Sequence, residues 1–124
     1  MWRLLFLLLL LVACTGEKAS KPVPTPDLSK AEGRGEVLFV THCATCHAVK
    51  GDRKIVGPSL AGIAIRASER VPGENAEDYL YESILSPDTY LVEGFVEGSM
   101  KQDFASVLTT ENVDDLIAYL MTLK

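Results

Sequence analysis

The stretch Cys43-Ala44-Thr45-Cys46-His47 decides how this chain of 124 residues folds. Two cysteines separated by two residues, with a histidine directly after the second, form the C-x-x-C-H spacing that attaches a c-type haem. Each thiol can add across a vinyl group of the haem to form a thioether, and the imidazole then lies beneath the iron as its proximal ligand. The motif therefore predicts one covalently bound haem, held by Cys43 and Cys46 and ligated by His47.

Three other interpretations of the motif compete with haem. A thioredoxin-like dithiol pair would lie in a β-α-β unit, and no second strand pattern is found nearby. A structural zinc site needs four ligands, yet His42 and His47 are the only histidines and there is no second cysteine cluster. The third interpretation is a chance match. The export signal at the N-terminus favours haem over all three.

The first residues are typical of an export signal. Arg3 precedes an apolar run over residues 4–13, which is too short for a bilayer because a span needs about 20 residues. The letters LVAC at residues 11–14 resemble the lipobox of bacterial lipoprotein precursors. This resemblance implies a signal peptide over residues 1–13 and a lipid on Cys14. The alternative is an ordinary signal peptide with an incidental cysteine, but three cysteines minus two for haem leave one for the lipid.

Composition divides the rest of the chain into a tether and one domain. Residues 14–28 contain Pro22, Pro24 and Pro26 and little to bury, which predicts a flexible, extended tether. A tether docked along a partner protein is the alternative. Residues 29–124 form a small domain that gains from packing around a haem. The formal net charge of −5 argues against nucleic acid as a partner.

Helix signals lie at both ends of the domain. Ser29 and Glu32 match a capping box, which predicts a helix from there to about His42. Gly33 and Gly35 are poor helix formers, so they indicate close approach of another backbone.

A second helix is predicted over residues 111–123, with Thr109 or Thr110 as its N-cap. Acidic residues in its first turns, Asp115 among them, suit the positive end of the helix dipole. Its apolar residues recur at the helical period and form one stripe: Val113, Leu116, Ile117, Leu120 and Met121.

Two shorter helices are predicted between them. One covers residues 60–67, and the other begins after Asn75 and ends at residue 85 or 86, before Pro87. The second helix is expected to cover the haem with four side chains: Tyr79, Leu80, Ile84 and Leu85. Tyr81 or Tyr90 could bind a haem propionate, although a tyrosine half-buried in the core is the commoner case.

The order of these features resembles the class I cytochromes c. The pattern G-x-x-x-F-x-x-x-C over residues 35–43 matches the first helix of that family, and L-x-x-Y-L over residues 116–120 matches its last helix. The resemblance covers about residues 29–124. It implies an all-α cytochrome c fold in which the N- and C-terminal helices cross at the glycine and pack around one covalently attached haem. It also implies that the carbonyl of Pro58 accepts the Nδ1–H of His47.

Iron in an electron carrier needs a second axial ligand, and His/Met ligation raises the potential. The mature chain offers Met100 and Met121, and Met121 belongs to the apolar stripe of the last helix. Met100 lies in a loop where Gly94 and Gly98 allow the backbone to turn and approach closely. This loop resembles the family's methionine loop, in which Met is usually followed by Pro. Lys101 stands there instead, which predicts a weaker Fe–S bond.

Two filled axial positions leave no open site for a substrate, so the chain is predicted to be an electron carrier and not an enzyme. The resemblance implies transfer between a quinol-oxidising complex and a haem-copper oxidase or photosynthetic reaction centre. The chain could act as a pivoting shuttle or as a bound subunit, for example of alternative complex III or a terminal oxidase. A lipid on Cys14 would place it on the extracytoplasmic face of a bacterial membrane.

Two alternative functions remain open at this point. One is a haem-based sensor or small-ligand binder with a displaceable Met100, and the other is a purely structural subunit. Basic side chains flank the two ligand segments and could steer an acidic partner toward the haem edge; they are Lys50, Arg53, Lys54 and Lys101.

Overall fold

The structure is a computed structural model that describes residues 22–124. The predicted signal peptide, Cys14 and the tether as far as residue 21 lie outside the described residues. Residues 22–27 adopt neither helix nor strand, and most of their side chains are exposed. Within the described range, no helix combines the length and the apolar character needed to cross a bilayer.

The secondary-structure elements of residues 22–124 are helices, which confirms the predicted all-α class. The α-helices are α1 (Ala31–His42), α2 (Ile63–Arg66), α3 (Ala76–Leu85), α4 (Phe104–Val107) and α5 (Thr110–Leu120), and a 3₁₀ turn (Ala67–Glu69) follows α2. Within residues 22–124 the one β pairing is an isolated antiparallel bridge between His47 and Lys54.

Helix α1 ends at His42 as predicted, but the predicted capping box at Ser29 is wrong. Lys30 is the N-cap, and its side chain makes no capping hydrogen bond. Ser29 instead donates from its hydroxyl and its amide to the Asp27 carboxylate, over 2.7 and 3.1 Å. The hydrogen bond from Ser29 to the Asp27 carboxylate is stronger than a capping hydrogen bond from a backbone amide to the Ser29 hydroxyl. The reason is that a hydrogen bond to an ionised group is stronger than one between neutral groups.

Helices α1 and α5 pack directly against each other at Gly35. A Cβ built on Gly35 would overlap the backbone carbonyl of Asp115 and come within 2.8 Å of Tyr119 Cβ. One turn later, the rings of Phe39 and Tyr119 pack with their centroids 5.4 Å apart. The prediction that glycine marks a close approach of another backbone is confirmed. Gly33 has the same role against the backbone of Asp27.

Replacing Gly35 with alanine should therefore destabilise the domain. The added methyl group has no space, so α1 and α5 must separate, and overpacking of this kind typically costs about 1–3 kcal/mol. The measurement is the urea midpoint of the haem-loaded protein. Val40→Ala is the control on the same helix, because Val40 is 64% exposed. A Gly35→Ala midpoint equal to that of the control would show that the helices are not in close contact there.

An ion pair also joins α1 to α5. Arg34 donates from Nε to Asp115 Oδ2 over 2.8 Å and from Nη2 to Oδ1 over 2.6 Å. The carboxylate is buried, with Asp115 only 5% exposed. These hydrogen bonds, with the charge of Asp115, raise the pKa of Arg34 above its usual value. Asp115 thus binds an arginine of the partner helix, a role that its predicted place near the helix N-terminus did not indicate.

Helix α5 begins as predicted, with Thr109 as its N-cap. The Asn112 amide donates to Thr109 Oγ1 over 3.2 Å, and the Thr109 amide donates to Asn112 Oδ1 over 3.1 Å, which completes a capping box. The helix ends at Leu120, three residues before the predicted end, and the amide of its C-cap Met121 donates to the Ile117 carbonyl over 2.9 Å. The predicted stripe is confirmed: Val113, Leu116, Ile117 and Leu120 are buried, and Met121 is half-buried against them.

The middle helices agree with prediction except at the start of α2. This helix begins at Ile63 and not at residue 60, because Gly62 has a φ of +69° and interrupts the helical backbone. Helix α3 has the predicted cap, with the Asp78 amide donating to Asn75 Oδ1 over 2.9 Å. It ends at Leu85, and Pro87 lies two residues beyond it.

Candidate haem site

One cavity brings all five predicted haem-site residues together. It is lined by Cys43, Cys46, His47, Pro58 and Met100. Apolar side chains from all five α-helices form most of the remaining wall; they include Phe39, Ile63, Leu80, Ile84, Phe104, Leu116 and Leu120. Residues separated by up to 57 positions in the chain, from 43 to 100, thus face one space.

The haem motif forms a tight turn directly after α1. The Cys43 amide donates to the Phe39 carbonyl over 2.8 Å, and the amides of Cys46 and His47 donate to the Cys43 carbonyl over 3.0 and 2.9 Å. Neither cysteine is in a disulfide. Burial, with a smaller contribution from Cys46, raises the pKa of the Cys43 thiol to about 11. This thiol therefore stays protonated at neutral pH, which slows its oxidation because the thiolate is the reactive form.

A backbone carbonyl fixes the orientation of the His47 ring. His47 Nδ1 lies 2.8 Å from the carbonyl oxygen of Pro58. Since a carbonyl can only accept, Nδ1 carries the proton and Nε2 keeps its lone pair for a metal. A Cβ on Gly57 would overlap the imidazole, so the ring can lie against this backbone only if residue 57 is glycine.

Arg66 holds the loop that carries Pro58. Its guanidinium donates from Nη1 to the Ala61 carbonyl and from Nη2 to the Ser59 carbonyl over 3.0 Å. The loop that supplies the acceptor for His47 is therefore tied to α2. Sequence reasoning missed Arg66; its one signal was a cation among the apolar residues of a predicted helix.

Met100 lies in the predicted loop and is half-buried against the core. Gly94 and Gly98 have φ angles of +85° and +74°, so both turns use the left-handed conformation that glycine favours. The Gly98 amide donates to Asp88 Oδ1 over 2.9 Å, which attaches the loop to the segment after α3. Gly98 and Gly94 thus allow the turns that bring Met100 into the cavity.

Lys101, which stands where the resemblance leads one to expect proline, is held by its neighbours. Its Nζ lies 3.3 Å from Asp103 Oδ1 and 5.6 Å from the centroid of the Phe104 ring. Phe104 itself is buried and lines the cavity.

The wall from α3 differs from prediction at one position. Tyr79, Leu80 and Ile84 line the cavity, whereas Leu85 packs against the core elsewhere. Leu85 is one residue after Ile84, and neighbours on a helix point about 100° apart. Of the two tyrosines considered for a propionate, Tyr90 lines the cavity and packs edge-on against Tyr79, while Tyr81 is 41% exposed beside a separate groove.

The lining fits a haem and not a zinc ion. A large flat apolar cofactor needs apolar walls, two thiols at one edge and a nitrogen ligand, and the cavity supplies all of these. Zinc needs four ligands, and over residues 22–124 no group of three or more His, Cys, Asp or Glu side chains is placed to hold a metal ion.

Comparisons with known proteins agree with this geometry. The sequence model of the family described as Cytochrome c matches residues 32–124. The cytochrome c of Chlamydomonas reinhardtii is 37% identical over 110 residues, covering 78% of this chain and 89% of that protein. Cytochrome c2 of Rhodopseudomonas palustris is 28% identical over 114 residues, covering 73% and 96%. Cytochrome c oxidase subunit 2 of Bacillus sp. strain PS3 is 31% identical over 115 residues, covering 87% of this chain but 30% of that protein.

The chain belongs to the cytochrome c family. Proteins of this family are electron carriers with a covalently bound haem c, and Cys43 and Cys46 form the attachment motif here. One haem c is therefore the cofactor of this chain.

Proposed function

We propose that this chain is a membrane-tethered mono-haem cytochrome c that carries single electrons, with His47 and Met100 as the axial ligands of the iron. One observation carries the assignment: His47, its ring held by the Pro58 carbonyl, and Met100 line the same cavity as both attachment cysteines. The haem supplies one-electron chemistry at its iron when bound. The protein sets the potential of that iron through its axial ligands, hydrogen bonding and burial.

Each named residue has one task in this proposal. Cys43 and Cys46 would fix the haem by thioethers, and the Pro58 carbonyl accepts a hydrogen bond from the Nδ1–H of His47, which orients the ring and increases its donation to the metal. Met100 supplies a thioether ligand that raises the potential. With the iron held by both His47 and Met100, the domain would exchange electrons and leave no coordination site for a substrate.

An absorption spectrum of the purified native protein tests this assignment. The oxidised protein should show a methionine-to-iron band at the red end of the visible spectrum. The reduced protein at neutral pH should bind carbon monoxide slowly or not at all. Rapid carbon monoxide binding and no red band would contradict Met100 ligation and favour a sensor with an open or displaceable site.

The partners that fit this function are membrane complexes that give and take single electrons. We propose a quinol-oxidising complex as donor, and a haem-copper oxidase or a photosynthetic reaction centre as acceptor. The match to an oxidase subunit over 87% of this chain supports the bound-subunit form. The similarity to cytochrome c2 over 96% of that protein supports the shuttle form. A lipid on Cys14 would hold either form at the extracytoplasmic face of a bacterial membrane.

The side chains around the attachment turn suit electrostatic docking. Lys50, Arg53 and Lys54 follow the motif and are exposed, as are the apolar side chains of Ile55 and Val56 beside them. Lys101 is also exposed and lines the cavity edge. A positive rim on a chain of net charge −5 would orient the haem edge toward an acidic partner.

An anionic oxidant tests whether this rim or the net charge governs encounter. Oxidation of the reduced protein by ferricyanide should slow several-fold between about 10 mM and about 0.5 M salt, because the Debye length shrinks from about 30 Å to a few Å. Lys101→Glu should flatten this dependence. Lys30→Glu, the same charge change at the far end of α1, should leave it as in the wild type. A wild-type rate that rises with salt would show that the negative net charge governs instead.

A further inference from the structure

The methionine loop, residues 91–100, is attached to the rest of the domain through side chains. In the described part of the chain, both backbone hydrogen bonds of this loop close turns inside it. The Phe95 amide donates to the Val92 carbonyl over 3.0 Å, and the Ser99 amide donates to the Val96 carbonyl over 3.1 Å. Such hydrogen bonds shape the loop but do not fix where it lies. Its position beside the haem cavity therefore depends on contacts made by side chains.

Two polar contacts hold the loop at different points. Near its end, the Gly98 amide donates to Asp88 Oδ1 over 2.9 Å. In its middle, Lys54 Nζ lies 5.4 Å from the centroid of the Phe95 ring and 3.6 Å from the position of a Cβ built on Gly94. A cation within about 6 Å of a ring centroid is attracted to the face of the ring. The ion pairs among the described residues do not include Lys54, so no carboxylate competes with the ring for its ammonium group.

Lys54 belongs to the segment that carries the proximal ligand. Its backbone forms the antiparallel bridge to His47. Three residues farther on, the Gly57 amide donates to the Cys46 carbonyl over 2.9 Å, which closes this segment against the attachment turn. The backbone of Lys54 is thus held beside the proximal histidine, while its side chain reaches the methionine loop. The contact between Lys54 and Phe95 therefore joins the segments that carry the two axial ligands.

We propose that Lys54 is a positioning residue for the sixth ligand: its contact with Phe95 holds the methionine loop so that Met100 stays on the iron. Phe95 is half-buried, lines the haem cavity and lies five residues before Met100. Among the described residues, it is not one of the partly buried side chains that pack against the hydrophobic core. Without Lys54, the middle of the loop is less restrained, and Met100 leaves the iron more often. This role rests on the proposed function, because it takes His47 and Met100 to be the axial ligands.

Carbon monoxide binding to the reduced, haem-loaded protein measures how often Met100 leaves the iron, because the gas binds only while the sixth position is open. In Lys54→Met the binding rate should rise about two- to five-fold, which is the change in the open fraction expected from loss of an exposed cation–π contact. Lys54→Arg keeps a cation over the ring and should restore the wild-type rate. Lys30→Met is the control for net charge, because Lys30 is an exposed lysine at the N-cap of α1.

A double-mutant cycle separates the contact with the ring from the charge of the lysine. Phe95→Leu removes the ring and keeps every charge, so it should also raise the rate. In that background, Lys54→Met should have no additional effect. Equal rates in Lys54→Met and Lys30→Met would overturn the proposal, as would an effect of Lys54→Met that persists in Phe95→Leu. The comparison of the two exposed lysines can be made even if Phe95→Leu does not accumulate.

The red methionine band of the wild-type protein keeps the two proposals apart. If the wild type has the band and Lys54→Met binds carbon monoxide at the wild-type rate, only the positioning role of Lys54 is rejected. A wild type without the band would contradict Met100 ligation and, with it, the role of Lys54.

Discussion

In Met100→Ala, the midpoint potential of the haem should fall by roughly a few tenths of a volt, out of the ~0.8 V range that axial ligands span. The thioether of methionine favours the reduced iron, so its loss stabilises the oxidised form. The red absorption band should disappear, and the reduced variant should bind carbon monoxide readily. Redox titration followed by visible spectra measures the first two effects, and a carbon monoxide difference spectrum measures the third.

Met121→Leu is the matched control for this experiment. Met121 is half-buried at the end of α5 and packs against the core, so removing its sulfur should leave the band and the potential unchanged. A band that persists in Met100→Ala would assign the sixth ligand elsewhere. Loss of the band in Met121→Leu would identify Met121 as the ligand and contradict the assignment of Met100.

The double variant Cys43→Ala/Cys46→Ala should lose all covalently attached haem. Without thioethers the haem is held only by ligation and packing, so denaturation releases it. A denaturing gel stained for haem peroxidase activity should therefore show no band at the position of the chain. Because the apolar side chains of the cavity would lose their cofactor, little folded protein should accumulate in the exported fraction.

Thr45→Ala is the control within the same motif, because Thr45 is exposed and lies between the two cysteines. It should keep a full haem stain and a wild-type spectrum. A single Cys46→Ala change leaves one thioether and should give a reduced stain. Haem that stays with the double variant under denaturing conditions would contradict attachment through these two thiols.

Sequence was sufficient wherever the deciding interaction is local. The haem motif places its functional side chains within five consecutive residues, 43–47. Helix α3 is bounded by Asn75, whose side chain caps the first turn, and by Pro87 beyond its end. The side chain of Thr109 likewise caps the first turn of α5. Each of these signals acts over at most three or four residues, so it can be recognised without knowing what packs against the helix.

The contacts of the site between residues far apart in the chain were predicted from the resemblance to the class I cytochromes c. The hydrogen bond between His47 and Pro58 and the presence of Met100 in the same cavity depend on how loops pack, and no local pattern encodes that packing. Gly35 is intermediate: its poor helix propensity indicated a close approach, but only the structure identifies Asp115 and Tyr119 as the contacts.

The remaining features depend on competition or on distance along the chain. Ser29 fits a capping box in isolation, yet the neighbouring Asp27 binds its hydroxyl more strongly. The pairing of Arg34 with Asp115 joins residues 81 positions apart, so neither residue alone indicates the other. Lys54 is one of several cations near the haem motif in sequence, and only its position over an aromatic ring of the methionine loop distinguishes it.

The account as a whole depends on one haem being covalently bound to the polypeptide. The intact mass of the native protein, measured under denaturing conditions after extraction with acidified organic solvent, tests this most directly. The account predicts the mass of one haem in addition to that of the polypeptide, carried on a peptide that contains Cys43 and Cys46. A mass without haem, from a colourless protein, would contradict it.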